Sequence, residues 1–205
     1  MSFPRLYKVV GGYFRQRRHR WIELEFHGCH SVVDLGGTPE SWPAACLPRI
    51  TMVNIVERKQ VPEGLRYVQA DACHVPLSGP FDLAYSNSVI EHVGSWERQR
   101  EFANEMLRLG RHVYCQTPNR WFPVEPHYLT AFLHWLPRHW FRYTAHRWLT
   151  LQGLTRRPWR SESLKTLRSE SVRLLGKREL QELFPGCRIR VERFLGWPKS
   201  YAAWR

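Results

Sequence analysis

An α/β fold built on a mostly parallel sheet is predicted by three features of the 205-residue sequence. Short apolar runs recur through its middle, separated by segments with helical periodicity, the pattern of strand–helix–strand units. One run, Val32-Val33-Asp34-Leu35-Gly36-Gly37-Thr38, ends in an acid and a glycine pair. Glycines there let backbone approach a ligand closely, and the acid can anchor a cationic or hydroxyl-bearing group. Near the C-terminus two further runs, Ile189–Phe194 and Ser200–Trp204, are expected to pair as an antiparallel hairpin that closes the sheet.

The elements follow in order. Residues Pro4 to Phe26 predict a helix, mixing Leu6, Val9, Val10, Phe14, Trp21 and Leu24 with an arginine-rich face. Ser31–Leu35 is the first strand. Pro39 to Cys46 predicts a helix with Thr38 as N-cap and Pro39 in its first turn. Ile50–Ile55 and Leu65–Ala70 are the next strands, and Phe81–Ser86 alternates before ending in small polar residues. Trp96–Leu109 is the clearest amphipathic helix, with Phe102, Met106 and Leu109 near one face and Gly110 as its terminating glycine. His112–Gln116 is a fifth strand, broken by Thr117-Pro118-Asn119. Leu174–Phe184 predicts a last helix, stopped by Pro185-Gly186. With the hairpin, seven strands result, carrying helices on both faces. Residues 128–160 hold Trp135, Trp140, Phe141, Tyr143, Trp148 and Trp159 among Arg and His residues, and predict short helices packed over the sheet.

Composition narrows the class. At 43 % hydrophobic and 24 % charged residues the chain reads as a soluble globular protein with a real core. No run approaches the ~18 apolar residues of a membrane span. No leader-like apolar stretch opens the chain, so a cytoplasmic location is expected. Cys29, Cys46, Cys73, Cys115 and Cys187 are scattered without C-x-x-C spacing, which argues against a disulfide framework or a zinc site; no metal is expected. The net charge of +13 is unevenly placed: residues 1–25 contribute +4, 26–133 −2, 134–173 +7 and 174–205 +4. The positive charge therefore lies in the flanks of a slightly acidic centre, and an anionic partner or a solvated basic face both fit it.

Four segments fall in sequence at strand ends: Asp34-Leu35-Gly36-Gly37; the strand ending at Val53-Asn54; Val68-Gln69-Ala70-Asp71-Ala72; and Phe81-Asp82-Leu83-Ala84-Tyr85-Ser86-Asn87-Ser88, running on to Glu91-His92. With Met106-Leu107-Arg108-Leu109-Gly110 and Cys115-Gln116-Thr117-Pro118-Asn119, the set resembles the class I S-adenosylmethionine-dependent methyltransferases. The small bacterial methyltransferase type 11 group is most similar. The resemblance spans roughly residues 30–125, with a weaker echo over 174–205.

The resemblance implies a Rossmann-like fold over a single domain, residues 1–205, with a helical N-terminal segment at 1–27 and a helical insertion or lid at 123–173 over the acceptor site. It implies S-adenosylmethionine as cofactor. Asp34 and the Gly36-Gly37 turn would lie beside the methionine end, and Asn54 would hold the ribose hydroxyls. Asp71 would accept from the adenine amino group with Ala72 nearby, and Asn87 would lie at the sulfonium end, facing the acceptor. His127 is the first choice of general base, with His92 second. Two departures from the family pattern stand out. The loop D-x-G-x-G-x-G reads here with Thr38 and Glu40 at two glycine positions, and Asn54 replaces an acid. The missing G-x-G-x-x-G argues against a nicotinamide enzyme.

The reading these observations favour is methylation, at oxygen or nitrogen, of a small-molecule acceptor such as a sugar, lipid-linked compound or secondary metabolite, the acceptor being anionic if the basic flanks bind it. RNA methylation stays open, because Arg and Trp interleave through 134–160. The absence of Asn-Pro-Pro-Tyr at Ser86-Asn87-Ser88 weighs against methylation at a base nitrogen. A non-catalytic binding protein with a degenerate cofactor loop is the alternative from another class. Peripheral membrane contact through His134–Trp140 is a further expectation.

Overall fold

The computed structural model describes residues 3–125, 130–131 and 172–205, and divides the chain into two units, residues 1–30 and 31–205. The first unit is one helix, α1 (Phe3–Glu25), whose end is tightened by hydrogen bonds from the Phe26 and Cys29 amides to the carbonyls of Ile22 and Phe26. Trp21 and Phe26 meet edge to face at 5.8 Å across that end.

The second unit is a seven-stranded sheet. Its strands are β1 (Val32–Leu35), β2 (Ile50–Asn54), β3 (Arg66–Gln69), β4 (Phe81–Asn87), β5 (Gly110–Pro118), β6 (Arg188–Phe194) and β7 (Trp197–Trp204), in the order 3-2-1-4-5-7-6. The first five are parallel, and β7 runs antiparallel to both β5 and β6. The mostly parallel Rossmann-like sheet with a C-terminal antiparallel hairpin is thus the observed fold. A separate two-residue ladder joins Val124–Glu125 to Thr130–Ala131.

Burial explains why β1 carries an uninterrupted run. All four of its residues are buried, as a central parallel strand covered on both faces requires. Helix α2 (Trp96–Leu109) presents Phe102, Ala103, Met106 and Leu109 to one core cluster with Val33, Leu35, Val113 and Cys115. Helix α3 (Lys177–Leu183) adds Leu180, Leu183 and the following Phe184. Ser95 caps α2, its hydroxyl accepting from the Arg98 amide at 3.4 Å. Because β1 pairs with β2 on one side and β4 on the other, the chain reverses its winding between β1 and β4. An open α/β sheet forms its ligand crevice outside the carboxyl ends of the strands at such a point.

Three local expectations need correction. Residues 39–46 do not form an α-helix but two 3-10 turns, Pro39–Ser41 and Ala44–Arg49. Pro43 and Pro48 withhold the amides an α-helix needs, and Thr38 makes no capping bond, its hydroxyl lying 3.2 Å from that of Ser41 instead. Gly110 is not a left-handed terminator: at φ −114°, ψ 135° it leaves α2 and begins β5 directly. Its glycine identity comes from crowding, since a Cβ there would fall 2.6 Å from the Ala84 amide nitrogen and 2.3 Å from the His112 carbonyl. Strand β5 also continues through Thr117 and Pro118, because β7 pairs with it as far as Pro118–Ser200. The helices expected over 128–160 lie outside the described residues apart from the short Thr130–Ala131 strand.

Candidate active site

Asp34 is a buried carboxylate at the carboxyl end of β1. It is fully buried on β1, between Met52 of β2 and Tyr85 of β4. The Trp42 indole N–H donates to Oδ2 at 2.7 Å. Among the described residues Oδ1 has no hydrogen-bond partner. Burial pushes the carboxyl from its ordinary 3.8 up to about 7, the Trp42 bond only partly opposing it. Trp42 is fixed in turn by an edge-on contact with Tyr85 at 4.8 Å, and Tyr85 stacks on Tyr114 at 5.6 Å.

The glycine pair has two separate reasons to be glycine. Gly36 takes φ +79°, the left-handed region, and a Cβ on it would strike Val89. A Cβ on Gly37 would lie 1.9 Å from Asp34 Oδ2. The next family glycine positions have no such need: Thr38 is extended and Glu40 sits in a 3-10 turn, ion-paired to Arg58. That is how the loop dispenses with two glycines.

Asn54 is turned into the loop. Its Nδ2 donates to the Gly37 carbonyl at 2.9 Å and the Gly36 carbonyl at 3.3 Å, while Oδ1 accepts from the Val56 amide at 3.0 Å. Two carbonyl oxygens facing one side chain demand a donor, which a carboxylate is not. The unusual amide at this position follows. Replacing it by the acid seen elsewhere, Asn54→Asp, should therefore weaken the protein by about 1–2 kcal/mol. It should also loosen cofactor binding, as measured by thermal melts with and without S-adenosylhomocysteine.

Asp71 stands at the end of β3, where the Ala70 amide is bonded to the Asn54 carbonyl at 3.0 Å. Its Oδ1 accepts from the Cys73 amide at 2.9 Å and its Oδ2 is ion-paired to Arg98 of α2. Burial works to raise this carboxyl, but the Cys73 N–H and Arg98 outweigh it and hold it below the ordinary carboxylate value. Ala72 is buried beside it. At the tip of β4, the Ser86 hydroxyl donates to the Leu35 carbonyl at 2.9 Å, tying β4 to β1. Asn87 follows, half-buried. Ser88 then takes φ 57°, held by its amide and hydroxyl on Gln116 of β5 at 2.9 and 3.0 Å.

The structure thus sets Asp34, Gly36, Gly37, Asn54, Asp71 and Asn87 along adjoining strand tips. His92 ends the 3-10 turn Ile90–His92 after β4 and is half-buried. His127 lies outside the described residues. Two residues that sequence reasoning passed over belong to this edge, Trp42 on Asp34 and Arg98 on Asp71, and Glu91 of the fourth segment joins them. Glu91 is fully buried and accepts from the Thr117 hydroxyl at 3.0 Å. Its neighbours Gln99 and Arg173 bond each other and the nearby backbone, fastening residue 173 to α2. Trp42 carried no sequence signal, because its role depends on two proline-bounded turns bringing it back over β1.

Residues 12–160 match a family model described as a methyltransferase domain. The chain belongs to the S-adenosylmethionine-dependent methyltransferase domain family. This methyltransferase also shares its fold with solved structures. N-methyltransferase NodS from Bradyrhizobium japonicum WM9 is 9 % identical with a TM-score of 0.55, over 94 % of this chain and 95 % of that one. Magnesium protoporphyrin IX methyltransferase ChlM from Synechocystis PCC 6803, solved with S-adenosylhomocysteine, is 12 % identical with a TM-score of 0.57, over 100 % and 87 %. A methyltransferase from Archaeoglobus fulgidus is 17 % identical with a TM-score of 0.51, over 94 % and 92 %. At such identities the likeness is one of fold. Among curated proteins none matches the chain in sequence. The cofactor of the methyltransferase is S-adenosylmethionine.

Proposed function

We propose that this methyltransferase acts on a small-molecule acceptor at oxygen or nitrogen, with its cofactor held along the tips of β1 to β4. The observation that carries the site is Asp34 Oδ1, a buried carboxylate oxygen without a protein donor among the described residues, beside a backbone that glycine keeps close. A single ammonium group satisfies such an oxygen, and the cofactor's methionine end carries one. Asp34, Gly36 and Gly37 hold that end. Asn54 shapes the loop and keeps a lone pair of Oδ1 for the ribose. Asp71 and Ala72 form the adenine end, where Arg98 shares the Asp71 carboxylate. Asn87 lines the side facing the acceptor.

When bound, the cofactor supplies an electrophilic methyl carbon for in-line displacement, which is accelerated chiefly by alignment. For a hydroxyl acceptor, His127 or His92 takes the proton; an amine acceptor needs no base. The acceptor class is supported by the β4 tip, which reads Ser86-Asn87-Ser88 and has no aromatic residue on which a nucleobase could stack. The test is a screen for S-adenosylhomocysteine release against small hydroxyl and amine acceptors in parallel with an RNA pool. Release with small acceptors supports the reading, and release with RNA alone overturns it.

A further inference from the structure

The hairpin between β6 and β7 carries an exposed apolar tip at the end of the sheet where the site opens. The pairing fixes this placement. Parallel strands β4 and β5 end at Asn87 and Pro118, and Pro118 pairs with Ser200 near the start of antiparallel β7. The turn that joins β6 to β7 therefore projects from the carboxyl end of the parallel strands. The turn 119–122 that follows β5 is bonded to the same place, the Asn119 side chain donating to the Pro198 carbonyl at 2.8 Å and its amide to Lys199 at 3.0 Å.

The turn residues run against ordinary turn chemistry. Phe194 pairs with Trp197 across a two-residue turn, Leu195-Gly196, with φ 48° and 82°. Positive φ at both positions is the hairpin geometry that Asn-Gly or Asp-Gly serves best. Leucine is costly in that conformation, and here it gains nothing from packing, being 85 % exposed. Trp197 beside it and Trp121 on the neighbouring turn are each 59 % exposed. Large apolar side chains gathered on one rim, one of them bearing backbone strain to be there, mark an interaction surface.

Charge selects the partner. Arg193 and Lys199 flank the turn, and residues 188–205 carry five basic side chains against one acid. That acid, Glu192, is buried and accepts from the Ser200 hydroxyl at 2.5 Å, so it does not face outward at the tip. A leucine and a tryptophan on a short protrusion with basic residues behind them is the composition of an interfacial anchor on an anionic bilayer. We propose that the Leu195–Trp197 tip, with Trp121, docks this methyltransferase on an anionic membrane surface. The docked tip sets the mouth of the crevice toward the bilayer. The class of acceptor it favours is an amphipathic, membrane-resident compound, a statement that rests on the small-molecule reading above.

Co-sedimentation of the full chain with phosphatidylcholine vesicles, with and without phosphatidylglycerol, tests the proposal. Wild type should bind the anionic vesicles, more weakly at high salt, and bind the neutral ones poorly. Leu195→Asn installs the turn's preferred residue, so its melting temperature should equal or exceed wild type while its vesicle affinity falls about ten-fold. Unchanged affinity in Leu195→Asn overturns the proposal, as does wild type that ignores anionic vesicles, whether or not single-stranded RNA binds the tip instead. Cofactor affinity, titrated without vesicles, reports on the strand-tip site separately.

Discussion

Asp34→Asn should abolish cofactor binding and at the same time remove the loss of stability that the buried Asp34 carboxyl causes as pH rises from 4 to 8. The carboxyl is fully buried and its only hydrogen bond among the described residues comes from Trp42. Burial places its folded value near 7 against an ordinary 3.8, so the folded chain keeps a proton that the unfolded chain has released. Stability must then fall as pH rises through that window, with the full cost present above about pH 7. The displacement converts to at most about 4 kcal/mol, a large share of a typical domain's margin. An amide carries no such cost, so the free variant should lose less stability than wild type as pH rises through this window. The variant has no negative charge for the cofactor's ammonium, and calorimetry should detect no S-adenosylhomocysteine binding. A stable, inert variant is the signature of a residue kept for function at the expense of the fold. Asp34→Asn with wild-type affinity would remove Asp34 from the site.

Gly37→Ala should damage the protein and its cofactor site together. The new carbon would lie 1.9 Å from Asp34 Oδ2 and 2.6 Å from Oδ1, and neither partner has room to yield. Asp34 is locked in the central strand, and the Gly37 carbonyl is held by Asn54 at 2.9 Å. Relief requires the loop to leave Asn54 or the carboxylate to leave Trp42. A loss of about 2–4 kcal/mol in stability is expected, with no measurable cofactor affinity. Thr38→Gly is the contrasting control. Thr38 is already extended, so a glycine there should change cofactor affinity little, and calorimetry on the pair separates close packing from loop flexibility.

The sequence made the strand tips legible because the chemistry at each is local. An apolar run followed by Asp34-Gly36-Gly37, or by Asn54, or by Asp71, announces a strand that stops at polar work. Helix α2 was legible in its span, since Phe102, Met106 and Leu109 recur on one face; its Ser95 cap is visible only in the fold. The stretch 39–49 was not, because its helical composition is overruled by Pro43 and Pro48 in tertiary context. Gly110 signals a helix end in the sequence, but its constraint is the nearness of Ala84 on the neighbouring strand, which no local pattern carries. Asn54 stands where the resemblance puts a ribose ligand, and only the folded loop brings its amide onto two carbonyls. Pairings across distant segments, Trp42 with Asp34 and Arg98 with Asp71, leave no periodic trace in a single chain.

The central claim is that a buried, proton-holding Asp34 binds the cofactor's ammonium in its ionised form. Calorimetric titration of the wild-type chain with S-adenosylhomocysteine at pH 6 and pH 8 tests it most directly. With the carboxyl titrating near 7, the ionised fraction rises from about one tenth to about nine tenths over that interval, and affinity should tighten about ten-fold. Sub-millimolar binding that strengthens with pH is the predicted result. Binding of equal strength at both pH values, or none at either, would contradict it.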